Sequence, residues 1–256
     1  MDPMTAGSLA GGTAGPAWER LVRLAAQQAA GLSAPSPGAP GLCLTCFGPA
    51  AAGQARCFQC ELHGQCAPGA LASVVLPAAY AVKGSLHARR LWTYKSGQPG
   101  AAAARHALTV LLLVFLREHG PCLWHRAGWV WPRAGPTHLA VVPSNRGRAG
   151  VHPLRALAEP YLRLPWAALA ARPGADGRAR DLDPERFTAP RLDGARVLLL
   201  DDTWTTGASV QSAAMTLRAA GAAAVAAVVL GRHLRRPGRA AAAFSPGRCA
   251  IHRPGR

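Results

Sequence analysis

Three short apolar runs in the second half of the chain constrain its fold more than any other feature: residues 138–142, 197–200 and 225–230. Each run is apolar enough to be buried on both faces of a sheet, as the strands of parallel sheets are. From Leu71 onwards, such runs alternate with patterns typical of helices, which indicates β-α units. The sequence therefore predicts an α/β fold with a mostly parallel sheet flanked by helices.

Each of the three runs ends abruptly in a polar or glycine-containing segment. These segments read PSNRGRAG at residues 143–150, DDTWTTGAS at 201–209 and GRH at 231–233. In open α/β sheets, ligands bind in the crevice beyond the carboxyl ends of the strands, so we expect functional residues there. A long polar segment, residues 172–190, is typical of an active-site lid or of a disordered insert.

The chain is strongly basic, with 29 Lys and Arg against 12 Asp and Glu and a formal net charge of +17. A charge of this size favours nucleic acid as a partner. Part of it is attributable to codon bias, because arginine shares GC-rich codons with the abundant alanine, glycine and proline. Hydrophobic residues make up 50% of the chain, which excludes a protein that is disordered throughout.

Targeting signals are not evident in the sequence. The first residues lack the basic region that introduces a secretory signal. The longest apolar stretch, residues 107–116, is about half as long as a bilayer-spanning helix. Cysteines in two C-x-x-C pairs, without a signal peptide, indicate reduced thiols or metal ligands rather than disulfides. We therefore expect a cytoplasmic protein without a membrane segment.

A cysteine-rich segment near the N-terminus has the spacing of a metal site. Two C-x-x-C pairs are separated by ten residues, and four thiolates can close a tetrahedral zinc site. Residues 43–66 are too few to fold around their own core, and structural zinc contributes on the order of 10 kcal/mol to small modules. We expect structural Zn²⁺ on Cys43, Cys46, Cys57 and Cys60. His63 and Cys66 are spare candidate ligands, while Cys122 and Cys249 fit no ligand spacing and are interpreted as packing or incidental residues.

Composition divides the chain into four parts. Residues 1–41 are predicted to be a flexible tail with a short helix from Pro16 and a Pro/Ser/Gly linker at 33–41. Residues 42–70 form the cysteine module and 71–234 the main domain. Residues 235–256 are predicted to be a flexible basic tail.

The segment after the second apolar run reads as strand, acidic pair, phosphate loop and helix. A helix N-terminus offers unpaired N–H groups and a positive dipole end to a phosphate, and glycine lets the backbone approach it. Carboxylates only accept hydrogen bonds, so ribose hydroxyls suit an acidic pair. We expect Asp201 and Asp202 to be the catalytic, ribose-binding residues. The expected 5′-phosphate-binding residues are Thr203, Thr205, Thr206, Gly207, Ala208 and Ser209.

This stretch resembles the motif with which type I phosphoribosyltransferases bind phosphoribosyl pyrophosphate (PRPP). It departs from that motif at Thr203 and Trp204, where the family more often has aliphatic residues. With the cysteine module, the Tyr94-Lys95 segment and the loop after residue 142, the chain resembles the ComF-like phosphoribosyltransferases over residues 17–233. It also departs at residues 148–152, which replace an Arg-Gly-Phe-Asn type stretch.

The resemblance implies a type I phosphoribosyltransferase fold with a small N-terminal zinc module. It implies transfer of a phosphoribosyl group from PRPP, with Mg²⁺, to an acceptor that the sequence leaves undefined, and release of pyrophosphate. The segment 172–190 would be the lid over the reacting centre. The residues expected to bind pyrophosphate are Ser144, Asn145, Arg146, Arg148 and Lys95.

Simpler alternatives exist for each part of this site. The acidic pair could cap the following helix in an ordinary turn, and the basic residues after strand 138–142, like Lys95, could be solvated. For the whole protein, the alternative is a non-catalytic or weakly catalytic accessory of DNA uptake or processing. Such a protein would bind single-stranded DNA or a helicase partner, which the net charge, the cysteine module and seven tryptophans favour.

Overall fold

The computed structural model describes residues 15–129, 135–144, 150–174, 180–236 and 241–251 of the 256-residue chain. These segments contain six α-helices and eight β-strands. The helices are α1 (Pro16–Gln28), α2 (Phe58–Cys66), α3 (Leu86–Thr93), α4 (Ala101–Arg126), α5 (Pro153–Ala158) and α6 (Ala208–Ala219). The strands are β1 (Ser33–Pro35), β2 (Val74–Val82), β3 (His138–Val141), β4 (Ala170–Ala171), β5 (Phe187–Thr188), β6 (Arg196–Trp204), β7 (Ala224–Leu234) and β8 (Ala241–Ala243).

Six of the strands form one mixed sheet in the order β3-β6-β7-β2-β1-β8. The four strands β3, β6, β7 and β2 are parallel, and β1 and β8 add an antiparallel edge. The short strands β4 and β5 pair separately. The prediction of a mostly parallel sheet flanked by helices is therefore confirmed.

The central strand β6 is buried on both faces, as its apolar sequence predicts. Leu198 and Leu200 point into a core shared with α4, whereas Val197 and Leu199 pack with α6 on the opposite face. All four side chains are at most 1% exposed. Successive residues of a strand point to opposite faces, so one apolar run supplies both cores.

The long helix α4 is the one helix of the described residues that is long and apolar enough to cross a membrane. In its most apolar window, 72% of the residues are buried inside the protein. Its leucines, among them Leu112 and Leu116, pack against the sheet in the larger of the cores. The burial is consistent with a core helix.

Two segments differ from their sequence-based interpretation as linker and flexible tail. Within the linker, Ser33–Pro35 forms β1, and within the C-terminal tail, Ala241–Ala243 forms β8. The two pair with each other, and Ser33 also pairs with Tyr80 of β2. Local composition could not show this pairing, because its partners are about 200 residues apart and their small side chains have no strand periodicity.

Helix α3 is held closely against the sheet and sets the position of the residues that follow it. A Cβ on Gly231 of β7 would clash with Leu91, so the missing side chain permits the close approach. His87 is 2% exposed, and its Nε2–H donates to the carbonyl oxygen of Leu230 at 2.9 Å. Tyr94 and Lys95, which follow α3, are thereby directed at the carboxyl ends of the strands.

The buried His87 predicts a pH dependence of stability. Burial lowers the pKa of His87 from 6.5 to about 4, so between these values the unfolded chain takes up a proton that the folded protein does not. Stability should therefore decrease as the pH falls from 6.5 to 4, by about 3 kcal/mol for this group.

We expect His87→Gln to lose this part of the pH dependence in urea unfolding measured across that range. The matched control is His106→Gln, on the exposed surface of α4, which should keep the wild-type pH dependence. An unchanged slope in His87→Gln would contradict the assignment.

Candidate functional site

The acidic pair lies at the carboxyl end of β6, within the strand rather than in the loop beyond it. Asp202 is 8% exposed, and its Oδ2 accepts hydrogen bonds from the Tyr94 hydroxyl at 2.6 Å and from Lys95 Nζ at 2.7 Å. The Lys95 side chain remains 29% exposed. The structure thus brings Lys95, which the sequence assigns to pyrophosphate, onto the acidic pair.

The two carboxyl groups have different electrostatic environments. Burial raises the pKa of Asp201 well above its ordinary value, and the negative charge of Asp202 raises it further. The N–H of Asp202, which donates to Asp201 Oδ1 at 2.8 Å, acts in the opposite direction. Asp202 has the neutralising contact with Lys95, while Asp201 has no ion pair of its own among the described residues. A hydroxyl donor or a cation would therefore suit Asp201.

The loop between β6 and α6 depends on a glycine. Gly207 is the N-cap of α6 and has a φ of +88°, in the left-handed region. A Cβ at this position would clash with the indole ring of Trp204, which is 1% exposed. Trp204 thus fills the core beneath the loop and supports it.

The hydroxyl groups around the N-terminus of α6 differ in their availability. Thr205 is exposed, and Thr206 Oγ1 lies 3.4 Å from the Ala208 N–H. Ser209 Oγ accepts a hydrogen bond from Arg186 at 3.3 Å. The N-terminus of this 12-residue helix therefore combines backbone N–H groups, threonine hydroxyls and a nearby guanidinium. Such groups can bind an anion.

Arg186 was not singled out from the sequence as a site residue. It is fully buried and also donates to the backbone oxygen of Asp181 at 2.7 Å. Its neighbour Phe187 is 1% exposed and belongs to β5. Residues 180–190, the second half of the predicted lid segment, thus pack against α6. Residues 175–179 of this segment lie outside the described part of the chain.

Arg232 is a second residue that the sequence did not identify. Its Nη1 donates to the backbone oxygens of Trp204 at 3.2 Å and Thr205 at 2.8 Å. The same guanidinium lies against Gly48 of the cysteine module, where a Cβ would come within 2.6 Å of Nη2. Arg232 therefore connects the loop after β6 with the cysteine module. The only signal was its position directly after the third apolar run.

The four cysteines of the module form one cluster. The sulfur atoms of Cys43, Cys46, Cys57 and Cys60 all lie within 4.8 Å of one another. The N–H groups of Thr45 and Cys46 point at Cys43 Sγ at 3.4 and 3.5 Å, an arrangement that stabilises a thiolate. The cluster is compatible with structural zinc binding. The spare ligands do not join it: His63 contacts Gln59, and Cys66 is exposed.

The thiols influence one another strongly. Hydrogen bonds from Cys46, Cys57 and Cys60 lower the pKa of the Cys43 thiol, whereas its contacts with the other three sulfurs raise the pKa of Cys60. Four sulfurs this close cannot all ionise without a positive charge between them. A divalent cation supplies that charge.

The predicted pyrophosphate loop follows β3. Ser144 is the last described residue of this segment, and β3 pairs with β6, so Ser144 lies at the same edge of the sheet as the acidic pair. Asn145, Arg146 and Arg148 lie outside the described residues.

No protein-family model, no curated protein and no solved structure matches this chain.

The contact between Gly207 and Trp204 predicts that adding a methyl group at position 207 lowers the free energy of unfolding. We expect Gly207→Ala to destabilise the protein by about 1–2 kcal/mol for the positive φ and a further 1–3 kcal/mol for the clash with Trp204. Gly100 has a φ of +87° at the N-cap of α4 and open space around it, so Gly100→Ala is the matched control and should show only the first cost. Urea unfolding measures both, and equal losses would refute the clash.

The cysteine cluster predicts bound zinc. We expect the Cys46→Ser/Cys60→Ser variant to contain one zinc ion fewer per chain than the wild type, measured by elemental analysis of untagged protein. Cys66 is exposed and outside the cluster, so Cys66→Ser should retain the wild-type zinc content. Equal zinc in wild type and double variant would show that the cluster does not bind the metal.

Proposed function

We propose that the protein is a ComF-like phosphoribosyltransferase that binds PRPP with Mg²⁺ and transfers its phosphoribosyl group to an acceptor nucleophile. The observation that supports this most strongly is the order of groups along one strand. The acidic pair lies near the carboxyl end of β6, and Gly207 then opens α6 within a few residues. A ribose 5-phosphate likewise carries both hydroxyl groups and a phosphate.

The 5′-phosphate would bind at the N-terminus of α6. Here the N–H groups after Gly207 and the exposed Thr205 hydroxyl would donate hydrogen bonds, and the helix dipole would favour the negative charge. Because Gly207 has no side chain, the phosphate could approach the backbone closely. Arg232 would hold the loop from behind through its bonds to the carbonyl oxygens.

The ribose hydroxyls would bind to Asp201 and Asp202. Lys95 Nζ donates to Asp202 Oδ2 at 2.7 Å and neutralises this carboxylate. Hydroxyl groups that donate to Asp202 would compete with this ion pair, and the partly exposed Lys95 could then turn towards the pyrophosphate. This movement would reconcile the observed contact with the role that the resemblance implies for Lys95.

The reaction would break the bond between the anomeric carbon of the ribose and the pyrophosphate oxygen and form a bond from that carbon to the acceptor. Pyrophosphate would leave with the bonding electron pair. Mg²⁺, whose preferred ligands are oxygens, would neutralise charge on the pyrophosphate, and the two carboxylates are donors of the right type. The positioned acidic pair would hold the sugar in the reactive orientation.

The cysteine module would have a structural role in this enzyme. With zinc bound, it would hold Gly48 against Arg232, and Arg232 would in turn hold the loop after β6. We also propose that the protein functions in the cytoplasm, where cysteines that bind zinc are kept reduced.

Calorimetry with PRPP and Mg²⁺ tests the proposed site. We expect the wild type to bind and the Asp201→Asn/Asp202→Asn variant to lose at least tenfold in affinity, because amides replace the acceptor charges that face the ribose. The control Asp193→Asn alters an exposed aspartate in the turn before β6 and should bind like the wild type. Equal binding by wild type and double variant would exclude this site.

Turnover is tested separately from binding. A pyrophosphate-release screen with PRPP over nucleobases, ammonia and small amines should identify the acceptor, and the double variant should be inactive with it. Release at the same rate from the double variant would contradict a catalytic role of the acidic pair.

The second candidate function is that of an accessory protein of DNA uptake or processing, which binds single-stranded DNA or a helicase partner. The net charge of +17 is the observation that favours it. Binding through phosphate contacts should weaken strongly with salt, so an oligonucleotide affinity that is insensitive to salt would argue against it. A PRPP site and a DNA-binding surface could coexist.

A further inference from the structure

A second cluster of metal-ligating side chains lies far from the cysteine module in sequence. His119 and Cys122 are one helical turn apart in α4, so they project from the same face of the helix. Cys249 belongs to the C-terminal segment that follows β8. One ligand atom from each of the three residues lies within 4.8 Å of the others.

The sequence gives no reason to join these residues, and it led to the interpretation of both cysteines as packing residues. The fold brings them together because the C-terminal segment returns across α4. His119 is 2% exposed, Cys249 is 3% exposed and Cys122 is half-buried. The ring of Phe115 meets the His119 imidazole edge-on at 5.0 Å. The three ligands thus converge at a largely water-excluded position.

We propose that His119, Cys122 and Cys249 bind a second zinc ion. Two thiolates and one imidazole are a known ligand set for zinc, with a tetrahedral arrangement of ligands. Three protein ligands leave one tetrahedral position for water or for a further side chain.

The ion would attach the end of the chain to the core. The segment 241–251 contributes the short edge strand β8, and Ala250 and Ile251 pack against the larger core. A three-residue strand and a few apolar contacts hold such a segment weakly. A metal that bridges α4 and Cys249 would fix this segment to the helix. It would also stabilise β1, which pairs with β8.

Zinc content of the full chain tests this proposal. The protein is purified without a histidine tag and under a reductant, so that neither tag-bound metal nor a disulfide between Cys122 and Cys249 interferes. We expect two zinc ions per chain in the wild type, one for each cluster. The Cys122→Ser/Cys249→Ser variant should contain one, and Cys66→Ser, an exposed cysteine outside both clusters, should retain two.

X-ray absorption at the zinc edge of the wild type provides a readout that needs no variant to fold. A four-sulfur site and a mixed site together should give a first shell that contains nitrogen as well as sulfur. One zinc ion per wild-type chain with a shell of sulfur alone would overturn the proposal. It would also be overturned if Cys122→Ser/Cys249→Ser folded and retained the wild-type zinc content. Neither result depends on PRPP binding.

Discussion

The parallel pairing of β6 with β7 is the interaction on which the rest of the structure depends. Arg196 to Trp204 pairs with Ala224 to Arg232 in continuous register, and both strands are buried on two faces. This pairing gives α3, α4, α5 and α6 a surface to pack on. It also brings the loop after β6 alongside Arg232. The candidate site is therefore a direct consequence of how the sheet is built.

The charges at that site are arranged around a buried carboxylate. Asp202 would be costly to bury alone, and the hydroxyl of Tyr94 and the ammonium of Lys95 offset that cost. Both donors come from the end of α3, whose position depends on Gly231 and on the bond from His87 to the sheet. Tyr94 and Lys95 thus determine the electrostatic environment of the Asp202 carboxylate, although they lie about 100 positions from it in sequence.

Much of the fold could be predicted from the sequence, because the apolar runs of β3, β6 and β7 indicate buried parallel strands. The acidic pair, Gly207 and the four cysteines were also identifiable, since each belongs to a local pattern with a physical meaning. Arg186, Arg232 and the antiparallel edge were not. Their roles arise from contacts between distant segments, and a buried arginine looks like a solvated one in an arginine-rich chain. The convergence of His119, Cys122 and Cys249 could not be predicted either, because Cys249 is far from the other two residues in sequence.

The strong positive charge also has a more specific meaning in the structure. Arg186 and Arg232 are buried and bound to backbone oxygens, so they contribute to the architecture rather than to a basic surface. Both arginines therefore hold the segment between β6 and α6 in place: Arg186 through Ser209, and Arg232 through the backbone oxygens of Trp204 and Thr205. The net charge alone does not distinguish buried structural arginines from arginines on a basic surface.

A crystal structure of the protein with PRPP and Mg²⁺ would test the proposed site most directly. We expect the 5′-phosphate within hydrogen-bonding distance of the N–H groups that follow Gly207, and the ribose hydroxyls on Asp201 and Asp202. Electron density for PRPP elsewhere on the protein, with Asp202 still bound to Lys95 and the N-terminus of α6 free of phosphate, would contradict it.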